Sequence, residues 1–268
     1  MPKPIHAFAR TWLAALSLAT FTLPALAHVS YTGRDLGTYD GLTAAGTTIS
    51  NQAVSGNYGW ADAADADWGD SHKAKWFTFT LNNDALVTLT VSANASATST
   101  SMGGLLPGFS VYKGIAPTSV DPLNPGISYL SYDTSTASTA YKASLPFAVE
   151  GVWNAVGDFA IGNDFGALNT LSFVGYAVDG EGTVQGGMAD GLRDGRTSKT
   201  LQLGAGTYSL LVGGADYDAQ LSTNPNLAAA YGMSVGIQVS SIPEPGTLGL
   251  SALGLGALSL AVRRRAPR

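Results

Sequence analysis

Two short stretches alternate bulky apolar and polar residues with a period of two. Lys75-Trp76-Phe77-Thr78-Phe79-Thr80-Leu81 is followed, after Asn82-Asn83-Asp84, by Leu86-Val87-Thr88-Leu89-Thr90-Val91-Ser92. Only an extended chain places residues i and i+2 on one face, so this pattern demands strands with one face buried. β-branched and aromatic residues supply the fitting propensity, and the Asn-Asn-Asp triplet supplies a turn. The spacing predicts an antiparallel hairpin over 75–92.

More segments of the same kind follow. Strands are expected at Phe109–Gly114, Phe147–Val152, Phe159–Asn163, Thr170–Val178 and Tyr231–Ser240, separated by Gly, Asn and Asp. A second hairpin is expected from Lys199–Leu203 through Gly204–Thr207 to Tyr208–Gly214. Residues 28–67 show turn residues and little periodicity. Residues 115–145 read as a long loop rich in Pro, Ser, Thr and Tyr, and Gly180–Gly195 as a glycine-rich acidic loop. A helix is expected only around Asn226–Tyr231. Some nine short strands with hairpin turns imply an all-β body, an antiparallel β-sandwich or jelly roll.

Both chain ends carry a different signal. Lys3 and Arg10 precede an apolar run, Trp12–Leu23, and Ala25-Leu26-Ala27 has the small-x-small form of a signal-peptidase site. The segment 1–27 reads as a signal helix, cleaved between Ala27 and His28. At the other end, Ser241-Ile242-Pro243-Glu244-Pro245-Gly246-Thr247 leads into an uncharged stretch, 247–262, closed by Arg263-Arg264-Arg265. The prolines hold the lead-in extended and accessible. Sixteen helical residues span roughly 24 Å, and snorkelling arginines extend that toward the roughly 30 Å of a hydrocarbon core. The segment is therefore read as a transmembrane helix, with the arginines on the cytoplasmic side.

The order Pro243-Glu244-Pro245, apolar helix, Arg263-Arg264-Arg265 resembles the PEP-CTERM sorting tail of exported Gram-negative proteins. That resemblance implies recognition and cleavage by an exosortase-type membrane protease near residue 242, a transient inner-membrane anchor, and a cell-surface or extracellular destination. The domain scheme is a signal peptide (1–27), a body (28–241) and a sorting tail (242–268, with its basic end at 263–268).

Charge and cysteine content narrow the function of the body. Residues 28–241 hold 8 basic and 18 acidic residues, a net charge near −10. Such a surface repels phosphate backbones, and nucleic-acid binding is rejected on that ground. No cysteine is present. Disulfides, iron–sulfur clusters, thiolate metal sites and cysteine nucleophiles are thereby excluded.

The early Lys-Trp-Phe-Thr-Phe-Thr-Leu with Val-Thr-Leu-Thr-Val, and the late Leu203-Gly-Ala-Gly-Thr-Tyr-Ser-Leu-Leu-Val-Gly-Gly214, resemble the bacterial pre-peptidase C-terminal type of jelly-roll module. The resemblance spans about 75–92 and 201–240 and implies an accessory module without catalytic residues. The stretch 115–198 would then be a loop-rich insertion.

Two histidines lie in the body, His28 and His72. Cleavage after Ala27 would free the His28 amine beside its ring nitrogen, a ready chelate. That arrangement resembles the histidine brace of lytic polysaccharide monooxygenases, copper enzymes on β-sandwiches. Trp68-Gly69-Asp70-Ser71-His72 also resembles, more loosely, the surface copper-binding proteins of methanotrophs, where two histidines and an oxidised tryptophan hold Cu(I). Imidazole suits copper, and two imidazoles suffice for linear Cu(I). The bland alternative is a turn capped by Asp70 or Ser71, with Trp68 packed at the core edge.

Other candidates are weaker. Asp62, Asp65, Asp67 and Asp70 offer oxygen ligands for calcium, as do Asp179-Gly180-Glu181 and Asp190–Asp194, without EF-hand spacing. The one Gly-x-Ser-x-Gly string, Gly232-Met233-Ser234-Val235-Gly236, falls inside the strand expected at Tyr231–Ser240 and is no strand-to-helix elbow. Glu150 and Glu181 are the body's only glutamates, available as an acid/base pair for glycoside hydrolysis. Trp60, Trp153, Tyr129 and Tyr132 can stack on sugars if exposed, or pack in a core. The expectation is an exported, non-catalytic surface or matrix protein, in contact with signal peptidase, exosortase and exopolysaccharide. A copper-binding surface protein is the first alternative, and a secreted polysaccharide-active enzyme the second.

Overall fold

The computed structural model describes residues 29–61, 68–71, 73–117, 132–133, 152–162, 168–184, 187–216, 218 and 229–242. The expected signal and transmembrane helices lie outside them, as does nearly half of the expected insertion at 115–198. Fifteen strands are described. They are β1 (Asp35–Tyr39), β2 (Ala45–Ser55), β3 (Trp68–Asp70), β4 (Lys75–Leu81), β5 (Ala85–Ala93), β6 (Pro107–Lys113), β7 (Tyr132–Asp133) and β8 (Val152–Asn154), followed by β9 (Phe159–Gly162), β10 (Leu168–Val178), β11 (Thr183–Val184), β12 (Gly187–Met188), β13 (Arg196–Leu203), β14 (Gly206–Gly214) and β15 (Ala230–Ser240).

A seven-stranded sheet runs β1-β4-β14-β6-β10-β9-β7, and a four-stranded sheet runs β13-β5-β15-β2. Pairing is antiparallel except for β1, which lies parallel to β4. The inward faces meet in one core. Phe77, Phe79, Leu210, Val212, Phe109 and Val111 come from the larger sheet, and Val87, Leu89, Val91, Val235, Ile237 and Val239 from the smaller. All twelve are buried. At about 1.5–3 kcal/mol per large apolar side chain, this layer is the main driving force of the sandwich.

The predicted strands at 75–81, 86–92 and 231–240 match β4, β5 and β15 closely, but both predicted hairpins are corrected. β4 and β5 never pair with each other. β4 lies between β1 and β14, whereas β5 lies between β13 and β15. The Asn82–Asp84 turn is an arch that carries the chain from one sheet to the other. Gly204-Ala205 is a second arch, from β13 to β14. The two arches stand side by side, since Leu81 pairs with Gly206 in one sheet and Ala85 with Leu203 in the other. The Ala205 N–H donates to Asp84 Oδ1 at 3.0 Å and ties them together. Alternation marks which residues point inward in a hairpin and in an arch alike, so it cannot tell them apart.

Residues 28–67 are also corrected. They contain β1 and the eleven-residue β2. β2 is an edge strand exposed over much of its length, with only Val54 fully buried and Ile49 packed on the core, so its apolar period is faint. Tyr231, where the expected helix and the expected last strand met, lies in β15 with Val54 as its partner on β2, and residues 226–228 lie outside the described residues. The glycine-rich acidic loop holds a small ribbon, β11 with β12. The first expected strand after residue 145 is described only as β8, three residues long.

The seven-stranded sheet is buried on both faces. Its outer face carries Trp76, Tyr112, Leu171, Leu211 and Val178, and these pack with Trp60, Trp153 and Phe159 in a second core. β10 reaches this layer through a bulge between Phe173 and Gly175. Residues three apart in a regular strand face opposite ways, but the extra residue returns Tyr176 to the side of Phe173. Both then pack against the second core.

Candidate functional site

The second core is where the tryptophans gather and where the chain around residue 72 emerges. All four tryptophans beyond residue 28, namely Trp60, Trp68, Trp76 and Trp153, are buried there or beside it. β3 and β8 form a two-stranded ribbon in which Trp68 faces Asn154, Gly69 faces Trp153 and Asp70 faces Val152. Glycine is required at 69. A Cβ there would stand 2.5 Å from Trp153 Nε1 and 2.5 Å from the Trp60 carbonyl oxygen.

Hydrogen bonds fix this layer to the sheet. Trp60 Nε1 donates to Ser110 Oγ at 2.9 Å. Ser110 Oγ donates onward to the Ala155 carbonyl, and the Tyr112 hydroxyl donates to the Asn154 carbonyl. The segment after Val152 is thus held by two side chains of β6. Aromatic edges lock the rest. Tyr112 meets Phe159 at 5.1 Å and 87°, and Tyr31 meets Trp76 at 6.0 Å and 85°. Two buried donors, Trp76 Nε1 and Trp153 Nε1, find no acceptor among the described residues. An unmet buried donor costs about 1–3 kcal/mol.

Of the two readings of Trp60 and Trp153, core packing holds and the sugar platform does not: both have zero solvent exposure. The cause for Trp60 is Gly108 on β6. Without a side chain there, the indole lies directly on the strand, where a Cβ would meet it at 2.5 Å. Tyr129 lies outside the described residues, and of Tyr132 only the backbone is described.

The predicted metal ligands divide in a similar way. His28 and His72 lie outside the described residues, as do Asp62, Asp65 and Asp67. Trp68 is 2 % exposed, which agrees with packing. The Asp70 carbonyl accepts the N–H groups of Lys73 and Ala74, both at 3.1 Å, and the Asp70 N–H donates to Gly59 O at 3.0 Å. These bonds tie Lys73 and Ala74 back to Asp70. Among the described residues no three His, Asp or Glu side chains converge.

Sequence reasoning missed Tyr31, whose hydroxyl hydrogen-bonds Ser209 Oγ at 2.7 Å and accepts the Ala116 N–H at 3.1 Å. Burial pushes its hydroxyl pKa up to about 12, against the opposing effect of those bonds. A signal for the second core was present. Trp76 and Phe77 are adjacent bulky apolar residues, and adjacent positions in a strand face opposite sides, so both sides must be covered.

The acidic loop has a structural role. Asp179 is 1 % exposed, and its carboxylate accepts the N–H groups of Asp194 at 3.1 Å and Gly195 at 2.8 Å. Desolvation raises its pKa, partly offset by those two bonds, and Asp190 and Asp194 add to the rise. Asp190 Oδ1 accepts the Gly180 and Leu192 N–H groups, both at 3.3 Å. Glu181 stands exposed in the same loop, and Glu150 lies outside the described residues. The Pro243-Glu244-Pro245 motif, Arg263, Arg264 and Arg265 lie outside them too.

Fold and sequence together define an all-β sandwich protein that carries an export-sorting tail. Residues 241–265 match the PEP-CTERM protein-sorting motif. No curated protein sequence matches the chain. Among solved structures, the chain is similar to CorA, a surface-associated copper-binding protein important in copper acquisition by Methylomicrobium album BG8. Identity is 17 %, over 80 % of this chain and 99 % of that one, with a TM-score of 0.43. It is also similar to MopE, a secreted protein of Methylococcus capsulatus in which an oxidised tryptophan facilitates copper binding. Identity there is 18 %, over 78 % of this chain and 87 % of that one, with a TM-score of 0.39. Likenesses this loose transfer no function.

Proposed function

We propose that this chain is an exported cell-surface or matrix protein whose sandwich body has a non-catalytic structural or binding role. The observation that carries the reading is the sorting motif at 241–265. Exosortase-type processing follows from that motif, and the transient anchor through 247–262 is part of the proposal. The test is fractionation of cells expressing the full chain. Replacing Pro243, Glu244 and Pro245 with alanine should leave the protein unprocessed in the membrane fraction. Wild-type processing and location of that variant would refute the reading.

A second reading, a copper-binding surface protein using His28 and His72, has one observation in its favour. Val29, next to His28, and Ala74, two residues beyond His72, are buried in the same second core. The flanks of both histidines therefore converge on one layer. The donor set fits Cu(I): imidazoles suit it, and no thiolate competes. In this reading His28 and His72 would hold the ion, and copper would add a soft, redox-active centre. Titration of the full chain with Cu(I) should show one tight equivalent, lost in His72→Ala and weakened in His28→Ala. Stoichiometric binding that survives both substitutions would sink this assignment.

A further inference from the structure

The outer face of the four-stranded sheet is a lattice of hydroxyl groups. One transverse row reads Ser198, Thr90, Gly236, Thr48, and the next reads Thr200, Thr88, Gln238, Gly46. Cross-strand bonds hold the lattice in place: Thr90 Oγ1 lies 3.1 Å from Ser198 Oγ, and Thr88 Oγ1 lies 2.8 Å from Thr200 Oγ1. The row through residue 236 is interrupted by a glycine, and there the face opens into a shallow groove of about 300 Å³. Thr90 and Thr48 stand on its two sides, Ser234 and Gln238 along β15, and Arg196 at one end.

Gly236 is not forced by its backbone: its φ lies outside the left-handed region, and the nearest atom to a Cβ built there, at 3.3 Å, is the Thr48 hydroxyl oxygen, which need give way by only a few tenths of an ångström. Glycine in a strand interior weakens the strand, because it fixes more backbone freedom and packs nothing. Two other glycines of the sheets, Gly232 and Gly214, are forced. At Gly232 a Cβ would meet Asn94 O at 2.0 Å, and at Gly214 it would meet the Asn57 carbonyl carbon at 2.1 Å. Gly46 cannot fill the gap from its side, since the Gln238 side chain already lies across it. What glycine at 236 does provide is the space between two threonines. Adjacent strands are about 4.8 Å apart, so the backbones carrying those threonines are about 10 Å apart, and between their side chains the gap admits a sugar ring edge-on.

The lining selects the ligand. It offers neutral hydroxyls, one amide and one guanidinium, and no carboxylate. Arg196 makes no ion pair with a described residue, which leaves its donors free for a pair of vicinal hydroxyls. A single cation on a body of net charge near −10 does not attract a polyanion. We propose that the groove centred on Gly236 binds a segment of neutral polysaccharide. The proposal goes beyond the export reading and stands whether or not the tail sorts the chain.

The test is affinity electrophoresis of the full-length chain in a polyoxyethylene detergent, which carries no sugar. Dextran and galactomannan serve as neutral probes and alginate as the uronate probe. Wild type should be retarded by a neutral glycan and not by alginate. Gly236→Val should abolish retardation in a variant that still melts cooperatively, and Arg196→Gln should weaken it. If Gly236→Val fails to fold, Thr90→Val decides, because it keeps the shape and removes one hydroxyl; it too should lose retardation. The proposal is overturned if neither neutral glycan retards the wild type. It is equally overturned if the folded groove variants behave as wild type, or if alginate retards more strongly.

Discussion

At the scale of single residues, the second core turns on glycine and tyrosine. Gly69→Ala would drive a methyl into Trp153 and the Trp60 carbonyl, which cannot both move in a layer pinned by Ser110 and Tyr112. Overpacking of this kind costs about 1–3 kcal/mol, so the variant should melt several degrees lower in calorimetry. Gly236→Ala, with ordinary φ and a methyl that only displaces the rotatable Thr48 hydroxyl, should stay close to wild type in the same experiment. Tyr31 adds a pH effect. Its hydroxyl is neutral in both states below pH 10. Between pH 10 and about 12 the unfolded chain releases that proton while the folded chain retains it. Stability is therefore complete below pH 10 and falls as pH rises through that window. Tyr31→Phe should flatten the decline in chemical denaturation measured from pH 9 to 12.

At the scale of elements, the turns carry the specificity. Asp179 joins the end of β10 to the start of β13 by accepting two backbone N–H groups. Asp179→Ala would leave both donors unmet and should reduce stability by about 1–3 kcal/mol, measured by urea unfolding. The sign of its pH dependence is opposite to that of an ion-paired carboxylate. Its raised pKa means the folded state holds the proton more tightly, so this group's contribution falls as pH rises through and above the ordinary carboxylate range. The two arches show why strand existence was legible and strand pairing was not. Leu81 and Ala85 are both inward, as a hairpin or an arch equally requires. The choice of partner came from residues more than 100 positions away, Leu203 and Gly206. β2 was missed for a related reason. An exposed edge strand has no continuous apolar face to betray it.

At the scale of the whole molecule, the larger sheet separates two layers with different work. Its inner face meets the four-stranded sheet in a largely apolar core, and its outer face holds the aromatic layer near the two histidines' flanks. The exposed face of the smaller sheet bears the hydroxyl lattice. The copper and glycan readings therefore use opposite sides of the sandwich and should be independent. His72→Ala should leave glycan retardation unchanged, and Gly236→Val should leave Cu(I) stoichiometry unchanged.

Local pattern sufficed for everything that depends on a few neighbouring residues. That covers the extended segments at 75–92 and 230–240, the all-β class, the acidic and cysteine-free body, and the sorting tail, whose signal is linear because a protease reads it in an extended chain. Long-range packing settled the rest. It made arches of the expected hairpins, buried Trp60 and Trp153 over glycines that no nearby residue identifies as partners, and placed Gly236 between two threonines on strands far apart in sequence. The physical reason is that alternation reports only that a face is covered. What covers it is chosen by the volume and hydrogen-bonding groups of residues that meet after the chain has closed on itself.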